Sequence, residues 1–307
     1  MGPPAAGAIL NRGHLVLRDV VVSRSYSPRW WPGGGVVNIG TLTLNGSSTI
    51  RDNGADQGGG VENHEHARLI LNGSSTSRGN GATSAGGVHN EGTLVMNGTS
   101  AIRGNAAEDI GGVTNLSTIV MNDSSTISRN EINIDESNTG GVAQSGGQAT
   151  LTMNDQSTIS GNQRVGVWSS GSLVTLNDSS SISHNSTGVA VDDGGRLVLD
   201  DAASIHSNSG GGVWVREGRV SLNDTSSIHD NTGYSGAAVA IGPGRLILRD
   251  ASSIYGNRTV GYTDEDGDVP PGPGGGVYVG PRSTLVGVTC GPGGNVRDNT
   301  PDDCYSE

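Results

Sequence analysis

Asp264, Asp266 and Asp268 alternate in the run Asp264-Glu265-Asp266-Gly267-Asp268, the oxygen-rich spacing of a Ca²⁺ loop. The run lacks the distal Glu of an EF-hand, so weak calcium binding competes with a plain solvated acidic loop. Cys290 and Cys304 close the chain's C-terminal part. A bridge between them would contribute about 3 kcal/mol by the loop-entropy argument, and two free thiols are the alternative. Trp168, Trp214 and Tyr278 supply flat rings that suit stacking on sugars, against packing on a loop or a neighbouring chain. Arg51, Arg78 and Arg103 offer paired N–H groups to a carboxylated or sulfated ligand, against a simple solvated face. For acid–base work the nearest residues are the pairs Asp192-Asp193 and Asp200-Asp201, with His184 and His206 close by in sequence. No residue is assigned a catalytic role.

The elements that must position these side chains are set by an internal repeat. One phrase recurs as L-T-L-N-G-S-S-T-I-R-D-N (Leu42–Asn53), L-T-M-N-D-Q-S-T-I-S-G-N (Leu151–Asn162), V-S-L-N-D-T-S-S-I-H-D-N (Val220–Asn231) and L-I-L-R-D-A-S-S-I-Y-G-N (Leu246–Asn257). Its closing Asn falls at 53, 80, 105, 130, 162, 185, 208, 231, 257 and 299. Between copies stands Gly-Gly-Val, one variable residue, then often Asn, as in Gly59–Asn63, Gly86–Asn90 and Gly111–Asn115. Leu-x-Leu and Val-x-Val alternate as strands do, and Ile supplies a third inward side chain. Gly, Asn and Asp separate the segments with turn chemistry that tolerates positive φ. Three strands and three turns per repeat predict an all-β fold. The expected form is a right-handed, single-stranded parallel β-helix of about eleven coils, most of roughly 23–27 residues. Stacked Asn side chains should pass hydrogen bonds from coil to coil at the corners. Residues 1–307 read as a single domain, with 1–32 an N-terminal coil or cap and 285–307 the last coil. Because Ala8–Gly13 already resembles a coil, the start reads as a fragment, a misplaced start, or a coil capped by Met1–Gly7 and the Ser25–Pro32 loop.

Composition narrows the classes. Phe is absent and aromatics are 3%, so the core must be thin layers of aliphatic side chains. The net charge of −12 disfavours nucleic acid and anionic membranes as partners. No apolar run approaches the ~20 residues of a membrane span, and Met1–Ala8 lacks the features of a signal peptide. No organic cofactor is expected, and calcium is the one ion that the Asp264–Asp268 spacing suits.

Gly-Gly-Val-x-Asn-x-Gly followed by Leu-x-Leu and Ile-x-x-Asn resembles the right-handed parallel β-helix repeat proteins of bacterial surfaces and secretions. It is also similar to the repeats of polymorphic outer-membrane-type adhesins, with Ile-x-x-Asn where those have Phe-x-x-Asn. The resemblance spans nearly the whole chain and implies an extracellular or cell-surface setting. The same superfold hosts lyases, hydrolases, adhesins and spacers, so it does not choose a function.

The outward columns carry that choice. The residue after the Gly-Gly-Val valine runs Glu62, His89, Thr114, Ala143, Trp168, Ala190, Trp214, Ala240, Tyr278, and this whole column should face outward. The residue after Ile, or its equivalent, runs from Arg51, Arg78 and Arg103 through serines to His206, His229, Tyr255 and Arg297. A third column passes from Gly46, Gly73 and Gly98 to Asp123, Asp155, Asp178, Asp201, Asp224 and Asp250. Turn-forming Asp is the expectation there, with cation bridging between coils the sharper alternative. The asparagines of Asn-x-Ser/Thr triplets, such as Asn45, Asn72 and Asn97, read as turn composition ahead of glycosylation. The preferred reading is a non-catalytic surface or secreted β-solenoid, adhesin-like or glycan-binding, whose partner is a polysaccharide or cell-surface glycan. The alternative is a polysaccharide lyase or glycoside hydrolase of the pectate-lyase-like superfold.

Overall fold

A computed structural model describes residues 7–27, 32–133, 139–264 and 267–307, with 262–264 and 267–269 described by their backbone. Among these residues there is no helix; the chain is a parallel β-solenoid of about eleven turns. It divides into two compact units, Met1–Val167 and Trp168–Glu307.

In the first unit three parallel sheets rise together. The Val sheet runs from Ile9–Asn11 through Val61–Asn63 and Val88–Asn90 to Thr139–Ser145. The Leu sheet runs from His14–Arg18 to Thr150–Met153, and the Ile sheet from Val21–Ser23 to Thr158–Ser160. The register puts like on like: Leu42, Leu69, Leu94, Ile119 and Leu151 form one file, and Leu44, Leu71, Met96, Met121 and Met153 another. All ten are buried. No rung can bury its apolar side alone, so each neighbour supplies the missing wall.

Coils of 25 or more residues hold something the three-segment reading missed. Gly54–Gln57, Gly81–Ser84, Ala106–Ala107 and Glu131–Ile132 form a fourth short parallel sheet after the Asn corner. The second unit repeats the three main sheets, from Thr187–Asp192 to Cys304–Ser306, Leu173–Leu176 to Ser283–Val286, and Ser181–Ser183 to Val296–Arg297. Its 23-residue coils have too little chain for the extra strand. There the Val strands Thr187–Asp192 and Gly211–Arg216 lengthen to six residues instead.

Corner amides stitch the coils. Asn53 donates from Nδ2 to Asn80 Oδ1, Asn80 to Asn105, Asn105 to Asn130 and Asn130 to Asn162, at 2.9–3.0 Å. In the second unit Asn185, Asn208, Asn231, Asn257 and Asn299 continue the pattern, the last donating to Asp303. A parallel file joins Asn11, Asn38, Asn63, Asn90 and Asn115. A third file, read in the sequence only as turn composition, links Asn154, Asn122, Asn97, Asn72 and Asn45. The glycines before each valine leave room for this stitching. A Cβ on Gly60 would collide with the Gly87 carbonyl oxygen and Ser77 Oγ, and would sit 2.9 Å from Asn80 Nδ2.

The Asp column sits in left-handed turns, with φ between 53° and 58° at Asp123, Asp155, Asp178, Asp201, Asp224 and Asp250, continuing the positive φ of Gly46, Gly73 and Gly98. Its carboxylates accept from backbone N–H groups of neighbouring coils. Gly98 N–H donates to Asp123 at 2.7 Å, Asp123 N–H to Asp155 at 2.9 Å and Asp178 N–H to Asp201 at 3.1 Å. The bond between Cys290 and Cys304 is present. Asp264 and Asp268 lie on the antiparallel strands Tyr262–Asp264 and Gly267–Val269, while Asp266, Trp30 and Trp31 fall outside the described residues.

Candidate functional site

The outer face of the Val sheet in the second unit gathers the aromatic side chains. Trp214, Ala240, Tyr278 and Tyr305 stand on successive rungs in one file. Ala190 pairs with Trp214 on the other side. The strand Thr187–Asp192 lies between the strand carrying Trp168 and the strand carrying Trp214. Rings and alanines therefore alternate as Trp168, Ala190, Trp214, Ala240, Tyr278. At a strand spacing of about 4.8 Å, neighbouring rings in that series are about 10 Å apart, which is close to the repeat of a disaccharide. Ala190 is 6% exposed, while Trp214 is 42% exposed. Trp168 and Tyr278 are half-buried. Tyr278 stacks on Tyr305 with centroids 5.7 Å apart, and its hydroxyl is pushed up to about 12, first by a hydrogen bond with Glu307 and then by burial.

Polar side chains stand beside the rings two residues further along three of these strands, at Ser170, Asp192 and Arg216. Arg216 donates from Nε to Asp192 Oδ1 at 2.8 Å and from Nη2 to Asp192 Oδ2. Its guanidinium carbon also lies 5.6 Å from the Trp214 ring centroid, within cation–π range. Asp192 holds the Arg216 guanidinium charge more firmly than usual, raising its pKa. Asp192 is 4% exposed and also accepts from the Asp193 N–H at 2.9 Å, whereas the Arg216 side chain is 57% exposed. Asp193 has φ 50° and accepts from Ser170 Oγ at 2.8 Å. Asp192 and Asp193 thus act here as a clamp and a turn.

No protein-family model, curated protein or solved structure matches this chain.

The other expected columns are also in place. Arg51, Arg78 and Arg103 are in register on the Ile sheet of the first unit, and Arg51 Nη1 donates to Asp52 at 2.6 Å. On the Ile sheet of the second unit the His206 and His229 rings stack at 5.0 Å and 7°, and His229 and Tyr255 at 5.0 Å and 2°. Arg297 caps this stack 5.5 Å from the Tyr255 centroid. Burial first, then the neighbouring His229 and His184, hold His206 below the ordinary histidine range.

One expectation about this face is corrected. Glu62 and His89 occupy outward positions of the Val sheet, yet Glu62 is 2% and His89 7% exposed. Glycine turns close over the acid: a Cβ on Gly58 would lie 2.8 Å from Glu62 Oε2, and one on Gly33 3.3 Å from Glu62 Cβ. Burial, with the Glu91 charge adding to it, pushes the Glu62 carboxyl up to about 8. Burial pushes the His89 imidazole down, against the pull of Glu91. Alternation along a strand marks a side of a sheet, and it carries no signal for turns that fold over that side.

Proposed function

We propose that the protein is a non-catalytic, adhesin-like β-solenoid that binds a linear polysaccharide along the Trp168–Trp214–Tyr278 face of its second unit. The observation that carries this reading is the exposed Trp214 ring beside a guanidinium that Asp192 holds in place. Sugar rings present apolar faces to aromatic platforms and hydroxyls to fixed polar groups, and both kinds of partner lie side by side here. Rings on alternate rungs match successive disaccharides, with the alanines between them leaving space. The Asp192 and Arg216 charges cancel locally and the chain carries −12 overall, which favours a neutral polymer over a polyanion. An extracellular or cell-surface setting fits the Cys290–Cys304 bond, since such bonds persist in oxidising compartments.

The test is affinity electrophoresis and calorimetry against a panel of soluble neutral and uronic-acid polysaccharides. Trp214→Ala should weaken binding of the best neutral polymer at least about tenfold, in line with loss of a central aromatic anchor, and Trp168→Ala should weaken it less. Retention of no polymer, or turnover of one that Asp193→Ala abolishes, would overturn the reading.

A further inference from the structure

The buried acid of the first unit belongs to a four-residue cluster separate from the aromatic face. Glu62-Asn63-His64 and His89-Asn90-Glu91 lie on neighbouring rungs, with His89 paired to Glu62 and the Glu91 N–H donating to the Asn63 carbonyl at 2.8 Å. Asn63 and Asn90 belong to the buried amide file, so the residues flanking each share the opposite face of the sheet. The two strands carry Glu and His in opposite order. Each rung-to-rung pair therefore brings an imidazole to a carboxylate.

The donor atoms converge. His64 Nδ1 lies 3.6 Å from Glu91 Oε2, and His89 Nε2 lies 3.8 Å from Glu91 Oε1 and 4.0 Å from Glu62 Oε1. One ligand atom from each of Glu62, His64 and Glu91 lies within 4.8 Å of the other two. Glu62 Oε2 and His89 Nδ1 are buried and have no hydrogen-bond partner. An almost fully buried carboxylate in that condition is costly unless a cation or donor meets it. The rungs on either side offer no cation: Val37 precedes Glu62 in the file, Thr114 follows His89 with a buried hydroxyl that itself has no hydrogen-bond partner, and Ile39 and Leu116 are exposed apolar residues. The cluster is thus a confined polar island, open to solvent through the half-exposed His64 and Glu91 side chains.

We propose that Glu62, His64 and Glu91 bind a divalent first-row transition metal such as Zn²⁺, with His89 as the positioning residue beside the two carboxylates. Imidazole plus carboxylate suits zinc and its neighbours, whereas Ca²⁺ and Mg²⁺ prefer all-oxygen shells. Ligands about 2.0–2.1 Å from a tetrahedral zinc stand roughly 3.4 Å apart, so modest rotations of His64 and Glu91 complete the shell. Three protein ligands leave a fourth position toward solvent, the arrangement of an accessible site rather than a closed structural one. A histidine held against a ligating carboxylate fixes its orientation, and losing such a partner typically lowers affinity by about 10–100-fold.

The experiment uses the full chain, stripped with chelator, and titrates Zn²⁺ alone by calorimetry with Co²⁺ absorption as a second readout. A single equivalent should bind, Co²⁺ should give the intense visible bands of low coordination number, and Zn²⁺ should raise the melting temperature. His64→Ala/Glu91→Gln, at half-exposed positions, should weaken binding more than about tenfold while keeping the strand circular-dichroism spectrum, and Glu62→Gln should do the same. His89→Gln should weaken it by about 10–100-fold. His66→Ala and His206→Ala should leave it unchanged. Absence of Zn²⁺ binding to the parent chain, or equal binding in the His64→Ala/Glu91→Gln and Glu62→Gln variants, would overturn the site.

Discussion

Arg216 reaches back one coil to Asp192 with a 2.8 Å bond from Nε, and in that position its guanidinium lies against the Trp214 ring. The pair is asymmetric in burial, with the acid enclosed and the base exposed. Arg216→Ala therefore leaves a buried carboxylate with only the Asp193 N–H among these donors and should cost about 1–3 kcal/mol. Asp192→Asn keeps an acceptor for the exposed Arg and should cost less. The double variant should recover part of the Arg216→Ala loss. Urea midpoints at unchanged m-value measure all three.

The amide files differ in how much depends on them. Asn105 donates to Asn130 Oδ1 and the Ser77 carbonyl, and accepts from the backbone and side chain of Asn80, all in full burial. Asn105→Ala should cost about 2–4 kcal/mol, because several buried groups lose partners together. Asn97 bridges Asn72 and Asn122 in a partly buried file, where water can replace it. Asn97→Ala should cost about 1 kcal/mol or less, so the two denaturation curves should separate clearly.

Cys290 and Cys304 join the chain end to the last coil across 14 residues. Replacing both with Ala should destabilise that coil by about 3 kcal/mol on the loop-entropy estimate. Hydrogen exchange should rise first in the strands Val296–Arg297 and Cys304–Ser306, while the Asn53–Asn130 file in the first unit keeps its protection.

Acid should loosen the His206 stack. His206 is held below its ordinary value of 6.5 in the fold, so the unfolded chain binds the extra proton more readily. This contribution is complete above about pH 6.5 and is lost as pH falls through that value toward the folded one. The neighbouring His229 and His184 also oppose a charge on His206, and Asp230 partly offsets them. The second unit's melting temperature should fall between pH 7.5 and 5.5. His206→Phe, which keeps a ring in the stack without the titrating group, should flatten that slope.

Much of the architecture is legible from local pattern. Leu-x-Leu, Gly-Gly-Val and Ile-x-x-Asn dictate three strands, and the files they form in register, Leu42 on Leu69 on Leu94, follow from a period that returns each residue to the same place. The ladder from Asn53 to Asn162 follows for the same reason. The fourth sheet was less visible, because strands such as Gly54–Gln57 and Ala106–Ala107 carry no apolar alternation and exist only where a coil has residues to spare. The Asn45–Asn154 file was hidden in Asn-Gly-Ser and Asn-Asp-Ser phrases that any turn could use.

Sequence by itself determined which residues face the interior and which return at each corner, since strand alternation and repeat length are local properties of the chain. The tertiary structure decided what each outward residue meets. Trp214 stays open with Arg216 beside it, whereas Glu62, at the equivalent position, lies beneath the Gly33 and Gly58 turns and against His89. The Glu62–His89 and Gly33–Glu62 contacts join residues 27 and 29 positions apart, and the Asp192 anchor that holds Arg216 beside Trp214 lies 24 positions back; their energies arise only once the neighbouring coil is in place.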